Sequence, residues 1–384
     1  MKQSSVIIVG GGVIGLSLGW ELLLRGHRVT LVDRQPVGRG ASWAAVGILP
    51  PARLETATDP LDRLRGLSHA LIPDWSRRLS ETTGIDVGLR RRGGWYLAET
   101  RGERAAMMGV ADYWRDLRIE CERQPLAALS LREPALAAWA AGHPDATAWW
   151  VPDEYQIRTP DFLRALHAAC ESLGGELRQG APVTDVRERA GHAEVRLGES
   201  WSAADRVVLC GGAWTGGMAK RYGLEQSVIP VRGQILMLRT ERPLLSAVVN
   251  VGNRYVVCRD DGRTLVGSVE EEVGFREGTT PEVLNGLRDF AERLCPSLRD
   301  APVERSWSGF RPMTFDGFPM IGRIPDHDHL YVAAGHFRSG IHLASGTAVT
   351  LADLLEGRRP VVDPVPFRVG KQQQRIDPTD LPSQ

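Results

Sequence analysis

The sequence predicts an α/β protein with an α+β insertion, and three patterns support this fold class. Residues 6–33 contain a strand, a glycine-rich turn, a helix and a second strand, the order of a βαβ unit in a parallel sheet. Residues 228–269 contain four short apolar runs separated by turn residues, as expected for a largely antiparallel sheet. A strand, a glycine turn and a helix return at residues 329–355. We therefore expect a parallel-sheet domain interrupted by an antiparallel one.

The composition is that of a folded protein with a small-molecule ligand. Of 384 residues, 42% are hydrophobic and 24% are charged, which excludes a disordered or fibrous chain. Lys and Arg number 47, as do Asp and Glu, so the chain lacks the positive charge of a general nucleic-acid binder. No run approaches the roughly 20 apolar residues of a membrane helix. Three glycines interrupt the uncharged stretch 4–20, which we expect to belong to the fold and not to a secretion signal.

The cysteines and histidines predict no disulfide framework and no metal site. Five cysteines are widely spaced and form no C-x-x-C pair, which favours a reducing, cytoplasmic location. His327 and His329 flank Asp328 and resemble a metal cluster, but alternating strand residues face opposite sides and no further ligands follow. We expect a surface turn there.

The secondary structure follows from hydrophobic periodicity and turn residues. In the parallel part we expect strands at 6–9, 28–33, 206–210 and 329–334, and helices at 13–25, 159–173 and 341–355. Between them lie helix patterns at 61–80 and 104–117 and strand patterns at 94–98 and 146–151. The antiparallel strands are expected at 228–239, 247–251, 254–259 and 264–269.

These elements divide the chain into two domains and a tail. The Rossmann-like domain is predicted to comprise residues 1–85, 150–225 and 300–360, and the substrate domain residues 86–149 and 226–299. Residues 361–384 contain proline and glutamine and are predicted to form a loosely held C-terminal tail.

A glycine-rich turn predicts a dinucleotide site. The sequence GGGVIG, which begins at Gly10, matches G-x-G-x-x-G between a strand and a helix. Gly10 permits the tight turn, Gly12 lets a pyrophosphate approach backbone N–H groups, and Gly15 lets helix and strand pack closely. Asp33 ends the next strand, near the usual spacing of about 20 residues, where it would accept a hydrogen bond from an adenosine ribose. Arg34 also suits a ribose 2′-phosphate, so NADP remains an alternative at this point.

Three further segments carry a family resemblance. They are ASWAAVGILPP from Ala41, WSGFRPMTFDGFPMIGR from Trp307 and GHFRSGI from Gly335. Over nearly the whole chain they resemble the flavoproteins of the glycine oxidase and D-amino-acid oxidase family, with the strongest likeness to its members in thiamin biosynthesis. The resemblance implies FAD as the cofactor. Covalent relatives attach the flavin through a cysteine in the segment that reads RPMTFDG here; this segment has no cysteine, so FAD is expected to bind non-covalently.

The glycine turn and the resemblance together assign the cofactor contacts. Those at the adenosine, pyrophosphate or ring are Gly10, Gly12, Val13, Ile14, Gly15, Asp33, Arg34, Ala41, Ser42, Val46, Gly47, Ile48 and Val183. The turn expected beside the isoalloxazine comprises His336, Phe337, Arg338, Ser339, Gly340, Ile341 and His342. Independently of the family, a helix that begins near Gly340 would stabilise a reduced, anionic flavin by roughly 0.3 to 2 kcal/mol through its dipole.

Two arginines and a tyrosine are the candidate substrate contacts. Arg311 and Arg338 lie in apolar or glycine-rich segments, where an unpaired buried charge would cost about 3 to 5 kcal/mol. A carboxylate held by two parallel N–H···O bonds is the natural partner. The resemblance assigns Arg311 to this clamp and places Arg338 and Tyr255 at the pocket. The alternatives are a structural salt bridge of either arginine to Asp316 or another acid, and simple packing of Tyr255.

Other side chains near these segments have less defined roles. His336 and His342 adjoin the flavin turn, but neither belongs to a set of nucleophile, base and orienting group. His342 stands where the family has an aliphatic residue, which changes the local pocket shape. Trp43 and Trp307, like Trp95, are candidates for narrowing the pocket.

The resulting hypothesis is an FAD-dependent amino-acid oxidase. Hydride would pass from the Cα of a small amino acid to flavin N5, and water would hydrolyse the imine to a 2-oxo acid and ammonia. Dioxygen would reoxidise the flavin and form hydrogen peroxide. Positioning of the substrate against the flavin accelerates the reaction without an acid-base pair of side chains, provided that the substrate amine binds in its neutral form. Glycine is the favoured substrate, followed by sarcosine and small D-amino acids.

Two alternative functions remain open from the sequence. One is a flavin-dependent D-amino-acid dehydrogenase that passes electrons to a quinone or a carrier protein. The other is a flavin-binding module without turnover. Family likeness also implies a homo-oligomer, specifically a tetramer.

Overall fold

The computed structural model describes residues 3–370, which contain twenty strands and ten α-helices. The strands are β1 (Ser5–Val9), β2 (Arg28–Val32), β3 (Ile48–Leu49), β4 (Arg90–Arg91), β5 (Gly94–Ala98), β6 (Glu122–Gln124), β7 (Thr147–Val151), β8 (Tyr155–Gln156), β9 (Glu176–Arg178), β10 (Val183–Arg189), β11 (His192–Leu197), β12 (Ser200–Ala204), β13 (Arg206–Leu209), β14 (Ile229–Arg239), β15 (Val248–Val251), β16 (Arg254–Cys258), β17 (Arg263–Gly267), β18 (Val303–Met313), β19 (Met320–Arg323) and β20 (Leu330–Ala334). The helices are α1 (Val13–Leu24), α2 (Ala41–Ala44), α3 (Pro60–Thr83), α4 (Arg101–Asp116), α5 (Leu126–Arg132), α6 (Ala137–Gly142), α7 (Thr159–Ser172), α8 (Thr215–Met218), α9 (Pro281–Leu294) and α10 (Gly340–Leu355). Within this part of the chain, no helix combines the length and apolar character needed to cross a membrane.

The first large sheet has six strands in the order β19-β20-β13-β1-β2-β9. All neighbouring pairs are parallel except β19 with β20, so the expected βαβ unit is confirmed. Central strand β1 is buried on both faces: Val6 and Ile8 pack into one core, while Ile7 and Val9 pack into another. A strand covered on both sides needs a continuous apolar run, which explains its sequence SVIIV.

The second large sheet has eight strands in the order β18-β14-β17-β16-β15-β5-β7-β6. Neighbours are antiparallel except β15 with β5, which confirms the largely antiparallel substrate domain. One face packs against α9 through Leu287 and Phe290. On the other face Ile235 and Val257 cluster with Val46, which belongs to the segment after α2. That face is therefore turned toward the parallel-sheet domain.

Sheet membership differs from the predicted domain division at two places. Strand β18 falls within the segment 300–360 that the sequence assigned to the Rossmann-like domain, but it pairs with β14 in the eight-stranded sheet. Strand β7 crosses the predicted boundary at 149/150. The meander β10-β11-β12 was not predicted, because its strands carry charged residues and lack a continuous apolar run. The domain boundaries themselves stay a prediction.

The expected loose tail is wrong for its described part. Val362 and Phe367 are buried in the core beside β1 and α10, and Val369 is buried in the core on the opposite face of the sheet. Three apolar side chains thus hold residues 361–370 against the domain, which polar composition alone did not reveal. The remainder of the predicted tail, 371–384, lies outside the described residues.

A buried carboxyl group, Glu154, lies against strands β5 and β15 of the eight-stranded sheet. Its side chain is completely buried in the turn between β7 and β8. The hydroxyl of Tyr96 donates a hydrogen bond to Oε2, and Asn250 Nδ2 donates to Oε1 at 3.3 Å. No salt bridge to Glu154 occurs within residues 3–370. Burial raises its pKa to about 7, although both hydrogen bonds oppose the shift.

Protein stability should therefore fall as the pH rises from about 4.5 to 7. In that range the unfolded chain releases the Glu154 proton while the folded chain retains it, so the free energy of unfolding decreases by roughly 3 kcal/mol and then levels off. Glu154→Gln should remove this decrease and be more stable than the wild type at pH 8. Urea unfolding between pH 5 and 8 measures both. Glu272→Gln, at an exposed site, is the control; equal pH slopes in all three proteins would contradict the prediction.

Candidate active site

A cavity of about 740 Å³ lies between the two large sheets. Parallel strands β1, β2, β13 and β20 all end at it, so it occupies the carboxyl edge where open α/β sheets bind ligands. The opposite wall comes from strands β14, β16 and β18 of the antiparallel sheet. The volume is within the usual range for small-molecule and cofactor sites.

The structure brings the predicted site residues together, with one exception. Those that line the cavity are Gly10, Gly12, Val13, Ile14, Asp33, Arg34, Ala41, Ser42, Val46, Gly47, Ile48, Val183, Tyr255, Arg311, His336, Phe337, Arg338, Ser339, Gly340, Ile341 and His342. Gly15 does not line it. It lies within the first turn of α1, where its role is packing.

The glycine turn is fixed by close backbone contacts. Gly10 has φ of +115°, and a Cβ there would lie 2.3 Å from the carbonyl oxygen of Cys210. A Cβ at Gly15 would lie 1.9 Å from the carbonyl oxygen of Gly10. At Gly12 a Cβ would approach only Ser42 Oγ, at 3.2 Å, so a side chain would enter the cavity. The turn therefore keeps a space free beside the start of α1, as a bound pyrophosphate requires.

Two long helices begin at the cavity with uncompensated dipoles. Neither α1 nor α10 has a side-chain cap at its N-cap residue or an acidic residue in its first turn. Ser42 Oγ accepts a hydrogen bond from the N–H of Val13 at 2.9 Å, which places a hydroxyl at the start of α1. Both N-termini favour negative charge. The cavity thus suits an anionic pyrophosphate at one helix and an electron-rich ring at the other.

Asp33 and Arg34 hold the adenosine end of the expected cofactor site. Asp33 Oδ2 accepts a hydrogen bond from the N–H of Gly11 at 2.6 Å, and Oδ1 accepts from Gln35 at 2.8 Å. Each oxygen retains a lone pair for a ribose hydroxyl. The Arg34 guanidinium stacks over the Trp214 ring, 4.2 Å from its centroid.

Arg311 is a partly buried cation whose hydrogen-bond partners are neutral. One terminal nitrogen donates a hydrogen bond to the carbonyl of Val269 at 2.9 Å, and the other donates to Ser268 Oγ. A Cβ at Gly233 would lie 2.6 Å from both nitrogens, so the guanidinium rests against bare backbone. No salt bridge joins it to Asp316 or to any other acid in the described part of the chain. Burial lowers its pKa, and the unused N–H groups suit a carboxylate.

Tyr255 and Arg338 lie near Arg311. Tyr255 is a neutral hydrogen-bond donor, whereas Arg338 is already paired with an acid. Burial raises the pKa of Tyr255, against the influence of nearby Arg311, so its phenol is protonated and can donate a hydrogen bond. Arg338 lies at the cavity rim, where its Nε donates to Glu270. The alternative of a structural salt bridge therefore applies to Arg338 and not to Arg311.

The histidines of the flavin turn are neutral. His336 Nε2 lies 3.0 Å from Thr347 Oγ1, and burial lowers its pKa to about 3. His342 Nε2 is buried without a hydrogen-bond partner among residues 3–370, and burial also lowers its pKa. The His69 ring lies beside it, with centroids 5.6 Å apart. Neither cavity histidine is therefore an imidazolium that could act as an acid at neutral pH.

The predicted tryptophans do not narrow the cavity. Trp95 is buried in the core between the antiparallel sheet and α9. Trp43 and Trp307 pack edge to face with ring centroids 5.5 Å apart, and the Trp307 indole donates to the carbonyl of Ala44. None of the three lines the cavity.

Several lining residues of the antiparallel sheet were missed. They are Asn250, Asn253, Arg254 and Ser268. Asn250 lies directly opposite Tyr255 in the β15-β16 pair. Opposite residues of an antiparallel pair share a face, so Tyr255 was a signal that could have identified Asn250 if the register had been known.

The five cysteines form no disulfide, and the candidate metal ligands His327 and His329 form contacts within the protein. All five cysteines are free. Cys210 lines the cavity, but burial raises the pKa of its thiol, so it is not activated for attachment to a flavin. His327 contacts Glu188, and His329 contacts the carbonyl of Asp205. Residues 3–370 hold no group of three side chains suited to a metal ion.

Comparisons with known proteins agree with this geometry. Residues 5–354 match the family described as FAD dependent oxidoreductase. The chain is 36% identical to the glycine oxidase of Geobacillus kaustophilus over 97% of its length and 98% of that protein. The crystal structure of a G. kaustophilus glycine oxidase superposes with a TM-score of 0.90 at 35% identity, covering 97% and 99% of the two chains. The bifunctional protein ThiO/ThiG of Trichormus variabilis is 32% identical over 91% of this chain and 52% of its own.

Gly15→Ala should reduce FAD content and stability, because the new methyl group must displace the Gly10 carbonyl. Overpacking of this kind costs about 1 to 3 kcal/mol. The purified variant is compared with the wild type by flavin absorbance per protein and by thermal unfolding.

Gly19→Ala is the matched control on the same helix. A Cβ at Gly19 would meet its nearest neighbour at 3.6 Å, an ordinary contact. We expect full FAD content and unchanged or slightly higher stability. Full FAD content in Gly15→Ala as well would contradict the close approach of turn and helix.

Proposed function

The chain belongs to the FAD-dependent oxidoreductase family, and we propose that it oxidises glycine and other small amino acids, namely sarcosine and small D-amino acids. The overall reaction would convert the amino acid, water and dioxygen into a 2-oxo acid, hydrogen peroxide and ammonia, with methylamine in place of ammonia when sarcosine is the substrate. The names of its relatives support this substrate class and an expected place in thiamin biosynthesis. FAD, which we expect to bind non-covalently, therefore replaces NADP as the cofactor.

The cofactor site is assigned to the residues that fit it. Backbone N–H groups at the start of α1 would hold the pyrophosphate, with the Ser42 hydroxyl beside them. Asp33 would hold the adenosine ribose, and residues 336–342 would lie at the ring. When bound, FAD supplies the hydride acceptor for the substrate Cα–H bond.

The observation that carries the proposal is the Arg311 guanidinium, which lines the antiparallel wall of the cavity, is partly buried and forms no salt bridge within residues 3–370. A substrate carboxylate would complete its hydrogen bonds and neutralise it. Tyr255 can donate a further hydrogen bond to the same carboxylate. Two fixed donors orient the Cα–H bond, and orientation alone contributes much of the rate in such reactions.

No side chain of the flavin turn is a strong base. Burial lowers the pKa of His336 and of His342, so both imidazoles are neutral and hold an added proton only weakly, and His336 is already engaged with Thr347. In the proposed reaction the substrate amine loses its ammonium proton to water before the oxidation step. The protein positions the substrate and excludes solvent. The hypothesis from the sequence likewise contains no acid-base pair of side chains.

A cytoplasmic location and a homo-oligomer, specifically a tetramer, are part of the proposal. Five free cysteines support a reducing compartment. The oligomer rests on family likeness alone, and sedimentation of the FAD-bound protein would measure it.

Anaerobic addition of glycine should bleach the flavin absorbance of the purified protein. An oxidase should then form one hydrogen peroxide per substrate under air. Bleaching without peroxide would favour the dehydrogenase that uses a quinone or carrier. No bleaching with glycine, sarcosine, D-alanine or D-proline would leave a flavin-binding module.

Arg311→Gln should raise the KM for glycine by about 10- to 100-fold, because hydrogen bonds to a charged group contribute about 1.5 to 3 kcal/mol. FAD should remain bound, since Arg311 lies outside the residues assigned to the cofactor. Steady-state peroxide production measures KM, and absorbance measures flavin content.

Arg305→Gln is the control on the same strand, because Arg305 is exposed and does not line the cavity. Its KM should match that of the wild type. An unchanged KM in Arg311→Gln would remove Arg311 from substrate binding.

A further inference from the structure

Residues 268–271 follow strand β17, and the first of them, Ser268, lines the substrate end of the cavity. The end of this segment is anchored: Glu271 accepts hydrogen bonds from Nε and a terminal nitrogen of buried Arg232, at 3.1 and 2.9 Å. The backbones of the two residues also pair with each other. Gln234 donates to the same carboxylate at 2.8 Å. The segment is therefore held firmly beside the cavity.

Residues 268–270 of the same segment form different contacts with Arg311 and Arg338. Ser268 and Val269 offer neutral oxygens to Arg311, which keeps its positive charge uncompensated. Glu270 offers a carboxylate to Arg338 and forms a salt bridge with it. One anchored segment thus leaves one guanidinium available to an anion and occupies the other.

The Arg338–Glu270 pair lies at the cavity and not in a remote surface patch. Arg338 lines the cavity, and both side chains are partly exposed, at 43% and 35%. Glu270 and Arg338 are also close enough to Arg311 to act on its pKa in opposite directions. Glu270 therefore carries the negative charge beside these two cations, and its hydrogen-bond partner is Arg338.

We propose that Glu270 determines specificity for amino acids with a single carboxylate. This inference rests on the proposed function. With Arg338 paired to Glu270, Arg311 is the guanidinium beside this segment that is left for a substrate carboxylate. A second carboxylate near Arg338 would find that guanidinium occupied and would be repelled by Glu270.

The test compares substrates that differ by one carboxylate. Sarcosine is paired with N-carboxymethylglycine (iminodiacetate), and D-alanine with D-aspartate, so the extra group is placed on nitrogen in one pair and on the Cα side chain in the other. Glu270→Gln removes the charge and keeps the shape. We expect it to raise the kcat/KM ratio of dicarboxylate to monocarboxylate by about tenfold or more in at least one pair, as a charge-assisted contact with Arg338 becomes available.

Two further variants test whether the change in the kcat/KM ratio depends on the Glu270–Arg338 pair. Glu272→Gln removes the same charge at a neighbouring exposed site and should leave the ratio unchanged. Glu270→Gln combined with Arg338→Gln should lose the gain, because the freed cation is gone. The proposal is wrong if Glu270→Gln shifts the ratio no more than Glu272→Gln, or if the gain persists in the double variant.

Binding of non-reacting acids keeps this test independent of turnover. Acetate and malonate are titrated into each FAD-bound protein and followed by the flavin spectrum or by calorimetry. The malonate-to-acetate affinity ratio should rise in Glu270→Gln alone, and an equal ratio in all variants would overturn the proposal. If no amino acid reduces the wild-type flavin, the proposed function fails, and these affinities still decide the role of Glu270.

Discussion

The site depends on one constraint, the placement of the partly buried Arg311 guanidinium against bare backbone. Strands β14 and β18 pair in a register that sets Gly233 opposite Gly309. The first glycine leaves room for the Arg311 guanidinium, and a Cβ at the second would lie 2.5 Å from Ala44 Cβ of α2. Glycine weakens a strand interior, so two of them in register indicate close approach on both sides. The Gly233–Gly309 pair therefore brings the Arg311 guanidinium close to α2, which borders the expected cofactor site.

The same cavity gathers positive potential although the chain has no net charge. Two helix N-termini, α1 and α10, and the Arg311 guanidinium face it, whereas the cavity histidines are neutral. Both expected ligands are anionic, a pyrophosphate and a carboxylate. Fixed dipoles and the Arg311 charge therefore favour these ligands, and each has a separate place along the cavity.

The sequence predicted the parts of the fold and site that local patterns encode. The βαβ unit, the glycine turn and the antiparallel strands follow from periodicity and turn residues, and every predicted site residue except Gly15 lines the cavity. Strand β18 was not predicted, because its pairing with β14 joins distant segments that no local pattern reveals. Asn250 depends on strand register, and the Arg338–Glu270 pair joins residues that are remote in sequence. The segment containing Phe367 looked polar, although three of its side chains are buried.

The most direct measurement is a crystal structure of the FAD-bound protein with glycolate, a carboxylate of glycine's size. We predict that both carboxylate oxygens lie within hydrogen-bond distance of the Arg311 guanidinium, with Tyr255 at the same group. A carboxylate held instead by Arg338 or Arg254, while Arg311 contacts only Ser268 and Val269, would contradict the account.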